Sequence, residues 1–197
     1  RIFLPYPLIG IWKSDGIMIY LGKRVVRERK QRRGRLDMER TILLLGNPEL
    51  YEVSEEVKIE ELHQMEQVRE DLKDTLLAFR ARYGVGRAIA APQIGVKKRV
   101  IYRHLDTPVL FINPRLAFPE QEMIDVLDDC MSFPDLLVRV KRYKRCIIYY
   151  KDLEWNDCSM ELKGDMSELI QHEYDHLDGI LATLRAVDER ALVMKPH

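Results

Sequence analysis

The sequence predicts an α+β domain over residues 38–197, and two kinds of pattern indicate it. One segment before Gly84 carries apolar residues at helical spacing, and another before Gly179 carries paired histidines at that spacing. Between them, short apolar runs are separated by turn signals, as expected of antiparallel strands. A hydrophobic content of 46% and a charged content of 32% are ordinary for a globular domain, and the length allows one core.

The first element after Met38 is a turn at Asn47-Pro48, followed by a long helix. Ser54 is the candidate N-cap of this helix, which is expected to run to about Tyr83 and to end at Gly84. Its apolar residues share one face and are predicted to be core: Ile59, Leu62, Met65, Val68, Leu72, Leu76 and Phe79.

The strands are predicted next, from short runs rich in β-branched and aromatic residues. Residues 99–104 and 109–112 are expected to form a hairpin around Asp106-Thr107-Pro108. Residues 136–141 and 145–151 are expected to pair with each other, followed by a turn over 152–157 and a short strand over 159–162.

The last helix is expected to start at Asp165 or Ser167, and it carries Gln171-His172-Glu173-Tyr174-Asp175-His176. Residues four apart lie on the same face of a helix, so His172 and His176 can bind one metal ion. Glu173 lies beside them, where a carboxylate can act as general base on water bound to that ion. This spacing predicts a metal-dependent hydrolase.

A catalytic site of this kind needs a third protein ligand. The pattern that continues with a histidine fails, because position 182 is Ala182. The pattern with a downstream glutamate also fails, because Glu189 follows too soon. Cys130 is a candidate, since a thiolate binds zinc or ferrous iron. Taken alone, each of the three cysteines is interpreted as a small buried residue, and no disulfide framework is predicted. Cys146 and Cys158 keep that interpretation, and Cys130 departs from it only through the family resemblance of the motif around it.

Three ordered motifs resemble those of the peptide deformylase family, which removes the formyl group from new protein N-termini. The first motif is Gly86-Arg87-Ala88-Ile89-Ala90-Ala91-Pro92-Gln93. The second is Asp128-Asp129-Cys130-Met131-Ser132, and the third runs from Gln171 to His176. The resemblance extends from about Met38 to about Arg185. It implies an α+β fold in which small antiparallel sheets surround the metal-binding helix.

The resemblance also implies the chemistry of the site. Cys130, His172 and His176 would hold one divalent metal ion, expected to be Fe²⁺, with Zn²⁺ or Ni²⁺ as alternatives. Glu173 would move the proton, while the Gln93 side-chain amide and the Met131 backbone N–H would stabilise the oxyanion. The implied partners are formylated peptide N-termini, and the implied location is the cytoplasm.

The residues expected by similarity to flank the substrate depart most from the family pattern. They are Gly86, Arg87, Ala88, Ile89 and Asp129. Ala88 and Asp129 replace glycines, Arg87 replaces an apolar residue, and Asp128 replaces a glutamate. With Asp165 and Glu168, these changes place charge near the substrate. Either the charged side chains pair with each other or face solvent, or the substrate preference differs from formyl-methionine.

Residues 1–37 are not covered by the resemblance and are expected to be a basic extension outside the fold. Their apolar part is interrupted by charges, glycines and prolines, so no membrane span is predicted. Met38 is a candidate start of translation. The stretch from Lys23 to Arg35 contains eight Lys or Arg residues and suggests a ribosome or membrane-surface contact as an alternative. The net charge of +0 predicts no general attraction to DNA.

Two other functions remain open at this point. One is a metallopeptidase that uses His172, Glu173 and His176 with a different third ligand. The other is a structural metal domain or peptide-binding module without turnover, against which Glu173 argues, because a structural site needs no base.

Overall fold

The structure is a computed structural model that describes residues 39–195. The prediction that residues 1–37 form an extension outside the fold concerns residues outside this range. Within it, two helices and eight strands alternate with short 3₁₀ turns. No helix among the described residues is both long enough and apolar enough to cross a membrane.

Helix α1, Leu62–Tyr83, packs the predicted apolar face into the core and ends at Gly84, whose φ is 74°. It starts later than expected. Ser54 does not cap it, because the Ser54 backbone N–H donates to Leu177 and the Val57 backbone N–H donates to Asn113. These distant partners hold the chain extended, so Ile59 lies in a separate 3₁₀ turn and is exposed rather than core.

A five-stranded antiparallel sheet, in the order β1-β2-β3-β6-β7, forms one side of the fold. Its strands are β1 Ala88–Ala90, β2 Val100–Arg103, β3 Val109–Ala117, β6 Arg145–Lys151 and β7 Asp157–Lys163. The predicted hairpin around Asp106-Thr107-Pro108 is confirmed as β2–β3. The prediction of a strand over 159–162 is confirmed by β7.

A second, three-stranded antiparallel sheet has the order β4-β5-β8. Its strands are β4 Met123–Cys130, β5 Phe133–Tyr143 and β8 Leu192–Met194. The predicted pairing of residues 136–141 with 145–151 is therefore wrong. Only Lys144 separates β5 from β6, which is too short for a hairpin loop, and the chain passes from one sheet to the other at that residue.

Helix α2, Asp165–Leu177, contacts β1, β2 and β7 of the larger sheet and β5 of the smaller one. The predicted fold class, small antiparallel sheets around a central helix that carries the His-Glu-x-x-His motif, is confirmed. Gly179 follows the helix with a φ of 69°, and a Cβ there would lie 2.5 Å from the Tyr51 carbonyl oxygen. Only glycine allows this close approach.

Candidate active site

Helix α2 places the predicted functional side chains in the interior. His172, Glu173 and His176 are each at most 5% exposed. The helix is fixed in place by Gln171, which directly precedes His172. Its amide accepts from the Tyr143 backbone N–H at 2.9 Å and donates to the Tyr143 carbonyl oxygen at 2.8 Å. The helix is thereby tied to the end of β5, which also brings it close to Cys130 at the other end of the β4–β5 hairpin.

The three predicted ligand atoms converge. Cys130 Sγ lies 3.3 Å from His176 Nε2, and the two histidine Nε2 atoms are 3.2 Å apart. Bond lengths of about 2.0–2.3 Å at tetrahedral angles separate the ligand atoms of one metal ion by roughly 3.3–3.7 Å. All three atoms lie within 4.8 Å of one another. The donor set and its spacing therefore fit a single divalent transition-metal ion.

The electrostatics also favour a cation at this point. Burial and the nearby His172 lower the pKa of His176 well below its usual value, which keeps its ring neutral as a ligand must be. Burial also lowers the pKa of His172, but the Asp128 carboxylate and Cys130 raise it more, and the net shift is well upward. A positive charge between these groups is favourable, whether a proton or a metal ion supplies it.

The His172 ring is oriented by a buried charge network that the motif search missed. His172 Nδ1 lies 2.9 Å from Asp128 Oδ1, which leaves Nε2 directed at the other ligand atoms. Arg142 donates to Asp128 at 2.7 Å and to Asp175. Arg185 donates to the other oxygen of Asp175 at 2.8 Å. The alternation of Val138, Val140 and Arg142 along β5 could have revealed an inward-facing arginine.

Glu173 has the properties of a general base. Burial raises the pKa of this carboxyl group to about 7, mainly because charge is costly in the interior. One of its oxygens, Oε2, has no hydrogen-bond partner among residues 39–195. Its side chain also lines the cavity that contains Cys130 and His172. A base with a pKa near neutrality can both accept and return a proton.

Gln93 is fixed with its donor toward the ligand cluster. The Ala90 backbone N–H donates to Gln93 Oε1 at 2.9 Å. Nε2 therefore faces the ligand cluster, where it donates to Cys130 Sγ at 3.5 Å and to Ser132 Oγ at 3.3 Å. Met131 follows Cys130 directly, is 7% exposed and lines the same cavity. Both predicted oxyanion donors thus belong to residues at the cavity wall.

The cavity in front of these groups has a volume of about 630 Å³. Of the residues predicted to flank the substrate, Gly86, Arg87, Ala88 and Asp129 line it. Ile89 does not, because its side chain is fully buried in the core with α1 and β2. Gly86 has a φ of 125°, and a Cβ there would lie 3.2 Å from Leu76, so glycine is required. Ala88 lies in an extended strand, where no positive φ is needed.

The charged substitutions are paired at the cavity rim. Arg87 donates to Glu168 at 2.6 Å and to the Asp165 carbonyl oxygen at 3.3 Å. Asp129 lies 3.3 Å from Lys195, which follows β8. Burial raises the pKa of Glu168, and the bond from Arg87 opposes that shift. Arg87 and Asp129 are therefore both paired, in agreement with the first of the two alternatives for these residues. Both residues still line the cavity.

The fold and the site together define a class, a hydrolase with one metal site on a central helix. The sequence model of the family described as polypeptide deformylase matches residues 39–191. A peptide deformylase of Dictyoglomus turgidum is 37% identical over 64% of this chain and 82% of its own length. That of Treponema pallidum is also 37% identical, over 74% of this chain and 86% of the relative.

Solved structures agree with the sequence comparison. The peptide deformylase from Thermotoga maritima superposes with a TM-score of 0.70 and 27% identity, covering 76% of this chain and 99% of that one. The actinonin-bound enzyme from Acinetobacter baumannii superposes with a TM-score of 0.68 and 28% identity. The match covers 75% of this chain and 97% of that one. This chain belongs to the polypeptide deformylase family. The predictions of a peptide deformylase and of a metal-dependent enzyme are confirmed.

Proposed function

We propose that this chain removes the formyl group from formyl-methionine at the N-terminus of new proteins, with Cys130, His172 and His176 as metal ligands and Glu173 as base. The observation that carries the proposal is the convergence of the three ligand atoms beside the buried Glu173 carboxylate. The position of Cys130, 3.3 Å from His176, favours it over a metallopeptidase with another third ligand.

The proposed work of each residue follows from its position. A divalent ion held by Cys130, His172 and His176 would supply Lewis acidity at the site. As Glu173 takes a proton from water, the water oxygen bonds to the formyl carbon. The bond from that carbon to the peptide nitrogen then breaks, and Glu173 returns the proton to the amine while formate leaves. Gln93 Nε2 donates to the oxygen of the formyl group as negative charge develops there, together with the Met131 backbone N–H. Asp128 holds the His172 ring in one tautomer.

The substrate would lie along β1. This strand is at the edge of the five-stranded sheet and pairs only with β2 within the described residues, so its other edge can bind an extended peptide. Gly86, Ala88 and Asp129 line the cavity beside it. A structure of the Acinetobacter baumannii relative is described as bound to Met-Ala-Ser, the product of such a reaction.

The finer assignments are proposals as well. Fe²⁺ is the proposed ion, with Zn²⁺ or Ni²⁺ as alternatives, since one thiolate and two imidazoles suit all three. The cytoplasm is the proposed location, because formylated N-termini arise where proteins are made. The basic residues 23–35 are a proposed ribosome contact, on the strength of their charge alone.

The test is formate release from formyl-Met-Ala-Ser by protein loaded anaerobically with Fe²⁺. Acetyl-Met-Ala-Ser serves as the control substrate, because its extra methyl group must enter the space beside Gln93. We expect formate and free Met-Ala-Ser in equal amounts and no cleavage of the acetyl peptide. Absence of formate from metal-replete, folded protein would contradict the proposal, and cleavage of an internal peptide bond would favour the metallopeptidase.

A further inference from the structure

One part of the cavity wall is an ion pair that the proposed reaction does not use. Glu168 lies one helical turn before His172 on α2, so both side chains leave the helix on the same side. Arg87, directly before β1, closes over Glu168 at 2.6 Å. Both residues line the cavity that contains Glu173 and Cys130. The pair therefore shares a cavity with the proposed reacting atoms, where it can contact a substrate side chain.

The pair has one buried member and one accessible member. The Glu168 side chain is 10% exposed and that of Arg87 is 39% exposed, so one end is buried and the other reaches the rim. Arg87 makes two hydrogen bonds among residues 39–195, to Glu168 and to the Asp165 carbonyl oxygen. A guanidinium group has five N–H donors, so donors remain for a ligand. Glu168 likewise has a second carboxylate oxygen that can accept.

The wall thus offers a donor and an acceptor side by side, without net charge. A primary amide matches this arrangement, because its carbonyl oxygen can accept from Arg87 while its N–H₂ donates to Glu168. A charged side chain would instead compete: an acidic one with Glu168 for Arg87, and a basic one with Arg87 for Glu168. An apolar side chain of the same length would bury the pair without satisfying the remaining donors, which has a cost.

We propose that the Arg87–Glu168 ion pair is a specificity determinant of this site, and that it admits formylated N-termini whose first side chain is a primary amide such as glutamine alongside methionine. The inference rests on the proposed function, since it assigns the side-chain preference of the same cavity. The inference goes beyond the proposed function because it names a second substrate class, selected by hydrogen bonding to Arg87 and Glu168.

The experiment compares kcat/KM for formyl-Met-Ala-Ser and formyl-Gln-Ala-Ser, two substrates of similar length. Both are measured with Fe²⁺-loaded wild type and with the double variant Arg87→Leu/Glu168→Leu, which removes both charges together. Loss of a matched polar site costs a hydrogen-bonding substrate at least about tenfold. We therefore expect the glutamine substrate to lose about tenfold or more in the double variant, while the methionine substrate gains, because the wall no longer carries polar groups that an apolar side chain leaves unsatisfied.

A second variant and a second measurement keep the test decisive. Arg87→Leu alone changes a half-exposed residue and should shift the ratio in the same direction even if the double variant unfolds. Dissociation constants of the products Met-Ala-Ser and Gln-Ala-Ser, measured by calorimetry, report the same preference without turnover. The control is Arg145→Leu/Glu161→Leu, which removes an ion pair of 2.9 Å between β6 and β7, away from the cavity.

The outcomes separate the two proposals. A methionine-to-glutamine ratio that is equal in wild type, both Arg87 variants and the control overturns the inference and leaves the deformylase proposal intact. A wild-type enzyme that cleaves the methionine substrate more than about a thousandfold faster than the glutamine substrate also overturns it, because a wall that hydrogen-bonds the amide would not reject it so strongly. No formate from either substrate overturns both.

Discussion

The inner end of the site, behind His172, and the rim of its cavity both contain charged pairs, but they hold them differently. At the inner end, Arg142 is 4% exposed and bridges Asp128 and Asp175, which are also almost fully buried. At the rim, Arg87 is 39% exposed and Lys195 is 27% exposed. A buried charge must be fully paired, so the inner network has little freedom. The rim pairs can rearrange in contact with water, which suits residues that meet variable substrates.

The substitution expected to have the largest effect is that of Cys130, the proposed metal ligand that lies outside α2. Cys130→Ser should abolish both metal retention and turnover, because the hydroxyl group does not ionise as the thiol does. Metal content after dialysis and formate release would measure this, with Cys158→Ser as the control at a partly exposed cysteine. Full metal content and activity in Cys130→Ser would contradict the ligand assignment. In wild type, metal affinity should fall with acid, as the ligands become protonated.

Glu173→Gln tests the inner end without touching its ligands. The amide keeps the shape of the carboxyl group but cannot accept a proton, so turnover should fall on the order of a hundredfold to ten-thousandfold. The metal content should stay at the wild-type level. Single-turnover rates and metal analysis on the same sample would check both. Near-normal turnover in metal-replete protein would exclude Glu173 as the base.

The contrast between the two ends can be measured as stability. Arg142→Met leaves Asp128 and Asp175 buried beside an uncharged residue, and the free energy of unfolding should fall by about 3–5 kcal/mol. Arg185 compensates part of the loss at Asp175. Denaturant unfolding of metal-free protein isolates this effect from metal binding. A change under about 1 kcal/mol would mean that the inner network is as adaptable as the rim.

Arg87→Leu is the matched change at the rim. The pair is open to water on the arginine side, so its removal should cost no more than about 1 kcal/mol of unfolding free energy. Glu168 can take up a proton when its partner is lost, because burial already raises its pKa. The same denaturant series, run in parallel with Arg142→Met, gives the difference directly. Equal losses in the two variants would remove the distinction drawn between the two ends.

The smallest expected effect is that of removing residues 1–37. The family match begins at residue 39, so a chain that starts at Met38 should keep the melting temperature and kcat/KM of the full chain. Thermal melting and formate release of both chains would test this. A clear drop in either quantity would show that the extension supports the catalytic domain.

The sequence reveals local features of this molecule well and long-range ones poorly. The ends of both helices could be predicted because Gly84 and Gly179 adopt a conformation that other residues avoid. The histidine pair could be predicted because both residues lie on one helix. The strand that pairs with β5 could not be predicted. The β4–β5 and β6–β7 pairings arise because the chain passes from one sheet to the other at Lys144. No short-range signal marks that residue.

Long-range contacts at the site could not be predicted from the sequence either. Ser54 has the residue type of a helix cap, but its backbone is bound by Leu177, far along the chain. Arg142 shares no motif with the residues that it supports, and its role depends on Asp128 and Asp175 meeting it in the interior. The charges of Arg87 and Glu168 are visible in the sequence. The choice of Glu168, rather than Asp165 or Asp129, as the side-chain partner of Arg87 is not visible, since 81 residues separate the pair.

The convergence of Cys130 with the two histidines has a mechanical meaning beyond chemistry. Cys130 belongs to the three-stranded sheet, whereas His172 and His176 belong to the helix that packs on both sheets. An ion bound by all three would join these elements as a cross-link does, and it would do so only in the folded chain. Resistance to unfolding would then report metal occupancy, and a cell short of the metal would lose the folded protein along with its activity.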